Sequence, residues 1–137
     1  MVEKPVVAIY REHGLLNDRD LGHVASVLKG EKFDVVHLQT VDDLLSQIAN
    51  GIPVVNSTAK HIRYVVGDFT RVYVRGHPYD ERAVARVANA CAYSGIGFTA
   101  CAALPRKVGN VEVLGREDHK GIVAKVENYL SMGSFRA

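Results

Sequence analysis

No stretch of this chain is apolar for the ~18 residues that a helix needs to cross a bilayer. The N-terminal stretch MVEKPVVAIY has one lysine and an apolar run of only strand length, so it does not read as a signal peptide. The expectation is a cytoplasmic protein with no membrane partner. Cysteine is scarce: Cys91 and Cys101 stand alone. Ten residues apart, they fit neither a zinc-ligand spacing nor a CxxC motif, and reduced thiols are expected. The loop REHGLLND after the first apolar run has Gly14 as its one glycine, so the GxGxxG dinucleotide fingerprint is missing, as is GxxxxGK[ST]. NAD binding of the usual kind and P-loop NTPase activity are disfavoured. The six histidines include no HxxxH-type pair that would set two ligands on one helix face, and no metal site is assigned. A phosphorelay receiver would want acids clustered after the first strand and an aspartate closing the central one. Here Glu12 stands by itself and the expected third strand ends in Asn56, which argues against a receiver.

The charge balance excludes little else. A formal net charge of +2 is too small to imply nucleic acid, and no motif interleaves basic and aromatic residues. Ten of the seventeen cationic residues are arginine, which matters because a guanidinium grips a carboxylate or phosphate with two parallel hydrogen bonds. There are no internal repeats, low-complexity stretches or linkers. At 137 residues the chain is expected to form a single α/β domain, with 131–137 a tail that frays or docks on a neighbouring subunit.

Short apolar runs alternate with segments of helical period. Pro5–Tyr10 reads as a first strand, apolar throughout as in a parallel strand covered on both faces. Asn17 or Asp18 can cap a helix near 18–29 with Leu21, Val24, Ala25 and Leu28 on one face and Gly30 past its end. Phe33–Leu38 is the second strand. Thr40 caps the next helix, with Asp43 in the capping-box position and Leu44, Leu45 and Ile48 inward; Gly51 stops it. Ile52–Val55 is expected as a short third strand near a sheet edge, because Pro53 cannot donate to the ladder. Ser57 then starts a short helix carrying Ile62, Val65 and Val66. Thr70–Val74 is the fourth strand, and 78–94 a long helix with Val84, Val87, Ala88 and Cys91 on one stripe, ended by Gly95. Ile96–Cys101 is a fifth strand, weakened by Gly97. Leu104–Asn110 is too short for a parallel crossover, so Val111–Leu114 is expected to pair antiparallel as an edge. Asp118 caps a last helix with Ile122, Val123, Val126 and Leu130 inward. Alternating strands and helices imply right-handed crossovers and a three-layer α/β sandwich, flavodoxin-like or Rossmann-like, with a mostly parallel five-stranded sheet plus an antiparallel edge strand.

In such sheets ligands sit beyond the carboxyl ends of the strands, near the reversal of strand order. The strand ends deliver Arg11, Glu12 and His13; Asn56, Ser57 and Thr58; Arg75, Gly76 and His77; and Cys101 with Arg106. Pro78 suits a first helical position, and Asp80 and Glu81 complement the helix dipole, so Gly76-His77-Pro78 reads equally as a well-made corner. Otherwise Arg75 pairs an anionic group while His77 or His13 exchanges protons near neutral pH. Asn56-Ser57-Thr58, small and hydroxyl-bearing before a helix, would cradle an anion on backbone N–H groups, or Ser57 would simply cap that helix. Cys101 reads as a buried small hydrophobe more readily than as a nucleophile. His23 and His119 are expected on the surface.

Residues 51–57, GIPVVNS, resemble the stretch in the N-terminal Rossmann-like domain of ATP-grasp ligases where a strand leads into a helix through an Asn-Ser pair. The resemblance implies a parallel α/β domain with Asn56 and Ser57 at a strand's carboxyl end. The Asp-Lys pair that the family carries shortly downstream is absent and no ATP-grasp domain follows within the chain, so ligase activity is not carried over. Three functions stay open. One is binding of a small anionic molecule through Arg11, Asn56, Ser57, Thr58, Arg75 and Gly76. Another is a small hydrolase, lyase or transferase using His77 or His13. The last is an accessory or assembly subunit, with the strand 111–114 or the helix 78–94 supplying a homodimer surface. No cofactor is indicated.

Overall fold

Apolar runs such as VVAIY and YVV are covered on both sides, and the sheet they build decides where every other element packs. The computed structural model describes residues 4–11, 19–31, 33–50, 61–69, 81–102, 106–109, 111–115 and 117–134. Along these run β1 (Val6–Arg11), α1 (Arg19–Glu31), β2 (Asp34–Leu38), α2 (Val41–Asn50), β3 (Ile62–Asp68), α3 (Glu81–Ser94), β4 (Gly97–Ala102), β5 (Arg106–Val108), β6 (Val111–Gly115) and α4 (His119–Ser134). The strands form one sheet in the order β2-β1-β3-β4-β6-β5. The first five are parallel, and β5 alone is antiparallel, on the outer side of β6. This is the expected three-layer α/β sandwich, with the strand order of flavodoxin-like sheets extended by one edge strand.

Strands are added on one side of β1 up to β2 and on the other from β3 on, so right-handed crossovers send α1 and α2 to opposite faces. One face packs against α2 and α3, where Ala8, Tyr10, Val65, Phe69 and Ala100 meet Leu44, Ile48, Val84, Val87 and Cys91. The other packs against α1 and α4, where Val7, Ile9, Tyr64, Val66 and Cys101 meet Leu21, Val24, Leu28, Ile122 and Val126. Cys91 and Cys101 therefore face different cores, both buried, and no disulfide joins them. Burial pushes the Cys91 thiol up to about 12.

Helix ends follow the local chemistry. The Asp43 N–H donates to Thr40 Oγ1 at 3.1 Å, and the Gly121 N–H donates to Asp118 Oδ1 at 3.1 Å, so both expected caps form. Gly95, at φ 69°, closes α3: the Ile96 N–H donates to the Cys91 carbonyl at 2.8 Å and the Gly95 N–H to the Ala92 carbonyl at 3.3 Å. That is a paired closure for which a left-handed residue is required. Gly30 does not end α1, which runs on to Glu31.

Two expectations are corrected. Ile62, Val65 and Val66 belong to strand β3, not to a short helix begun at Ser57. Spacing of i, i+3, i+4 also arises in a strand buried on both faces, and the β-branched run with Tyr64 favours the extended form. Arg63, exposed, sits where the β1–β3 register slips by one residue. Secondly, Val111–Gly115 is not an antiparallel edge but lies inside the sheet, parallel to β4. The segment before it supplies the edge instead: β5 turns back through Gly109, and β6 slots between β4 and β5 without any helical crossover. Residues 111–114 therefore offer no open edge for a second subunit. The expected strands at 52–55 and 70–74 lie outside the described residues; of the expected tail 131–137, residues 131–134 are instead the end of α4, and 135–137 lie outside the described residues.

At the amino side of the sheet, Gly97 is a matter of volume. A Cβ there would run into the Tyr64 ring and come within 2.9 Å of Tyr129. Those rings meet edge-on with centroids 5.4 Å apart, Tyr64 and Thr99 share a buried side-chain hydrogen bond, and the Tyr129 hydroxyl donates to the Gly95 carbonyl at 3.0 Å. Gly97→Ala should thus destabilise by ~1–3 kcal/mol through overpacking. Gly22→Ala, in α1 with nothing within 4 Å of the new methyl, should stabilise by ~0.5–1 kcal/mol. Urea midpoints of the two variants check both signs. Cys91 should resist a thiol reagent in the folded protein and react only at the rate of unfolding, which timed alkylation followed by peptide mapping will show.

Candidate functional site

The reversal of strand order falls between β1 and β3, so the crevice of a sheet like this opens at their carboxyl ends. Side chains alternate along both strands. Arg11 lies two residues beyond Ile9 and Asp68 two beyond Val66, so both point to the α1/α4 face. The register places Arg11 beside Asp68, Asp68 beside Cys101, and Cys101 beside Leu114. One row of side chains thus crosses four strands at the carboxyl edge: a half-buried guanidinium, a carboxylate only 3% exposed, a fully buried thiol and a half-buried leucine.

Next to that row the charge is positive. His37 on β2 pairs in register with Ile9 and so shares the α1/α4 face with Arg11. Its pKa is lowered from the ordinary 6.5, first by burial and then by the Arg11 and Lys29 charges. The Arg11 and Lys29 charges thus disfavour a further cation on His37.

On the opposite face, aromatic rings close the same end of the sheet. Tyr10 and Phe69 pack with centroids 5.1 Å apart, and Phe98 meets Phe69 edge-on at 6.0 Å. Gly67 makes room for them, since a Cβ there would lie 2.6 Å from the Phe69 ring. The backbone under Asp68 is therefore held from behind by packed rings.

Of the residues expected in the site, Arg11 is where the sequence places it, at the end of the first strand. His13, Asn56, Ser57, Thr58, Arg75, Gly76 and His77 lie outside the described residues. The connection 70–80 leaves from Phe69 and returns at Glu81. Both of those residues are at the carboxyl side, because α3 runs back between two parallel strands. The connection 51–60 leaves from the end of α2 and returns at the start of β3, and these flanks lie at the amino side. Cys101 is buried among apolar side chains, as expected of a small hydrophobe.

Asp68 escaped the sequence reading, since a segment read as helix has no strand end to inspect. The signal was present in RYVVGDF, an apolar run of strand length closing on Gly67-Asp68. One argument against a phosphorelay receiver falls with this, because the central strand does end in an aspartate. The other stands: Glu12 lies between Arg11 and His13, and no acidic cluster follows β1. Among the described residues, no three His, Cys, Asp or Glu side chains converge as metal ligands, and no helix is long and apolar enough to cross a membrane.

The depressed His37 pKa has a definite sign in stability. The unfolded chain takes up a proton on this imidazole at higher pH than the folded one, so acidification through 6.5 costs folding free energy. Between about pH 7.5 and about pH 5 the urea midpoint of the wild type should fall further than that of His37→Gln. Equal slopes would show that His37 does not sense the Arg11 corner. Comparison with protein-family models, with curated proteins and with solved structures finds no match to this chain.

Proposed function

We propose that the protein binds a small anionic molecule, bearing phosphate or carboxylate, in the crevice beyond the carboxyl ends of β1 and β3. The observation that carries this reading is the adjacency of Arg11 and buried Asp68 at the reversal of strand order. Arg11 would take the anionic group through charge-assisted hydrogen bonds. Asp68 would accept from a hydroxyl or amino group of the same ligand, which makes the site selective for molecules carrying both features. The Arg11 charge, which together with Lys29 lowers the His37 pKa, favours the anion's approach.

His13 lies in the connection that leaves β1, and Arg75, Gly76 and His77 in the one that leaves β3, so they remain candidates for further contacts. Asn56, Ser57 and Thr58 belong to a connection flanked at the amino side, and the proposed site does without them.

Sugar phosphates, nucleoside monophosphates and hydroxy-dicarboxylates, titrated by calorimetry and thermal unfolding, provide the test. At least one class should bind. Arg11→Ala should weaken that binding by about tenfold or more, the equivalent of a charged hydrogen bond of ~1.5–3 kcal/mol, while leaving the ligand-free protein folded. Undiminished affinity in Arg11→Ala would remove this residue from the site, and silence across all three classes would overturn the reading.

A further inference from the structure

A second cluster lies on the outer surface of the layer formed by α1 and α4, near the amino-terminal ends of both helices. His23 of α1 and His119 of α4, ninety-six positions apart in sequence, bring their ring centroids to 4.7 Å with the planes tilted by 36°. Both line a groove of about 350 Å³ along the seam between the helices, with Val27, Val123 and Ala124 also in its walls. His23 is exposed and His119 half-buried, so the pair is reached directly from solvent.

The separation has a specific meaning for imidazoles. A ring nitrogen binds a zinc-like ion at ~2.0–2.1 Å, which puts each ring centroid about 3.2 Å from the ion. Two such rings on one ion, at angles between a right angle and tetrahedral, have centroids about 4.5–5 Å apart. The observed separation of 4.7 Å falls within that interval. Ligation uses one nitrogen of each ring and leaves the other for a hydrogen bond, the usual arrangement around metal-bound histidine.

We propose that His23 and His119 chelate a late first-row divalent ion, of the zinc, nickel or copper class, as a clip between α1 and α4. Imidazole selects these ions over magnesium and calcium, which prefer oxygen. Since no three ligating side chains converge among the described residues, the remaining positions fall to water, for which the groove has room. Glu127 lies eight residues along α4 from His119, about 12 Å by helix rise. It adds negative charge to the groove without reaching the ion, and it offsets Lys120, whose ammonium can swing away on its flexible stem.

The test uses the whole protein and the metal alone. Zinc or nickel chloride should raise the thermal midpoint in a concentration-dependent way, while magnesium should not. His23→Gln and His119→Gln should each weaken the response by more than about tenfold, given that losing even a hydrogen-bond partner of a metal ligand costs that much. His61→Gln, at another exposed histidine, should leave it unchanged. Should a variant misfold, the wild type still decides the matter: substoichiometric copper(II) should broaden the His23 and His119 ring resonances before those of any other histidine. A zinc response that survives both substitutions, broadening that begins at a different histidine, or no response to zinc, nickel or copper would overturn the clip.

Discussion

The middle strand of a doubly covered parallel sheet has no solvent side, so apart from Arg63, exposed where the register slips, each residue from Ile62 to Asp68 must satisfy one of two cores. From Tyr64 onward the alternation is strict: Val65 and then Phe69 serve the α2/α3 core, and Tyr64 and Val66 the α1/α4 core. Burying each such side chain is worth ~1.5–3 kcal/mol, so the strand brings on the order of 10 kcal/mol of gross stabilisation. Asp68, only 3% exposed, ends this strand. Asp68 can be held at the crevice because the strand beneath it is so thoroughly anchored.

That anchoring comes from both ends. At the amino side Tyr64 is wedged over Gly97, bonded to Thr99 and abutted by Tyr129. At the carboxyl side Tyr10, Phe69 and Phe98 stack against the opposite face over Gly67. Each cluster places aromatic rings over a glycine. The polar row Arg11, Asp68 and Cys101 lies on the face away from the second cluster, so rings fix the backbone while the other side remains for polar groups.

How much of this was legible depended on whether the signal was local. Thr40 and Asp118 cap their helices, and Gly95 ends α3, because caps need only a hydroxyl, carboxylate or glycine within a few residues. Arg11 was found for the same reason: β1 is an unbroken apolar run with an evident end. The number of parallel strands and the antiparallel edge were also foreseen, but on partly different segments. Ile62, Val65 and Val66 satisfy a helical and a doubly buried strand pattern equally, and periodicity cannot separate them. Choosing the helix hid Asp68. The β5–β6 hairpin was missed because loop length limits a direct crossover, whereas an intervening edge strand returns the chain to parallel alignment within a few residues. The nearness of His23 to His119 had no local signal at all, since only the packing of α1 on α4 creates it.

Gly97 and Gly95 stand two residues apart and are constrained by different physics. Gly95 is held to its identity by a backbone angle, which no change elsewhere in the chain relieves. Gly97 is held by the ring of Tyr64, and volume can be traded between neighbours. A chain of this fold with a smaller residue at position 64, and with the Tyr129 ring drawn back, could carry alanine at 97, with the strand gaining a side chain to pack. Positions 64 and 97 are therefore free to drift as a pair, exchanging bulk across the β3–β4 ladder, whereas position 95 has no partner with which to exchange.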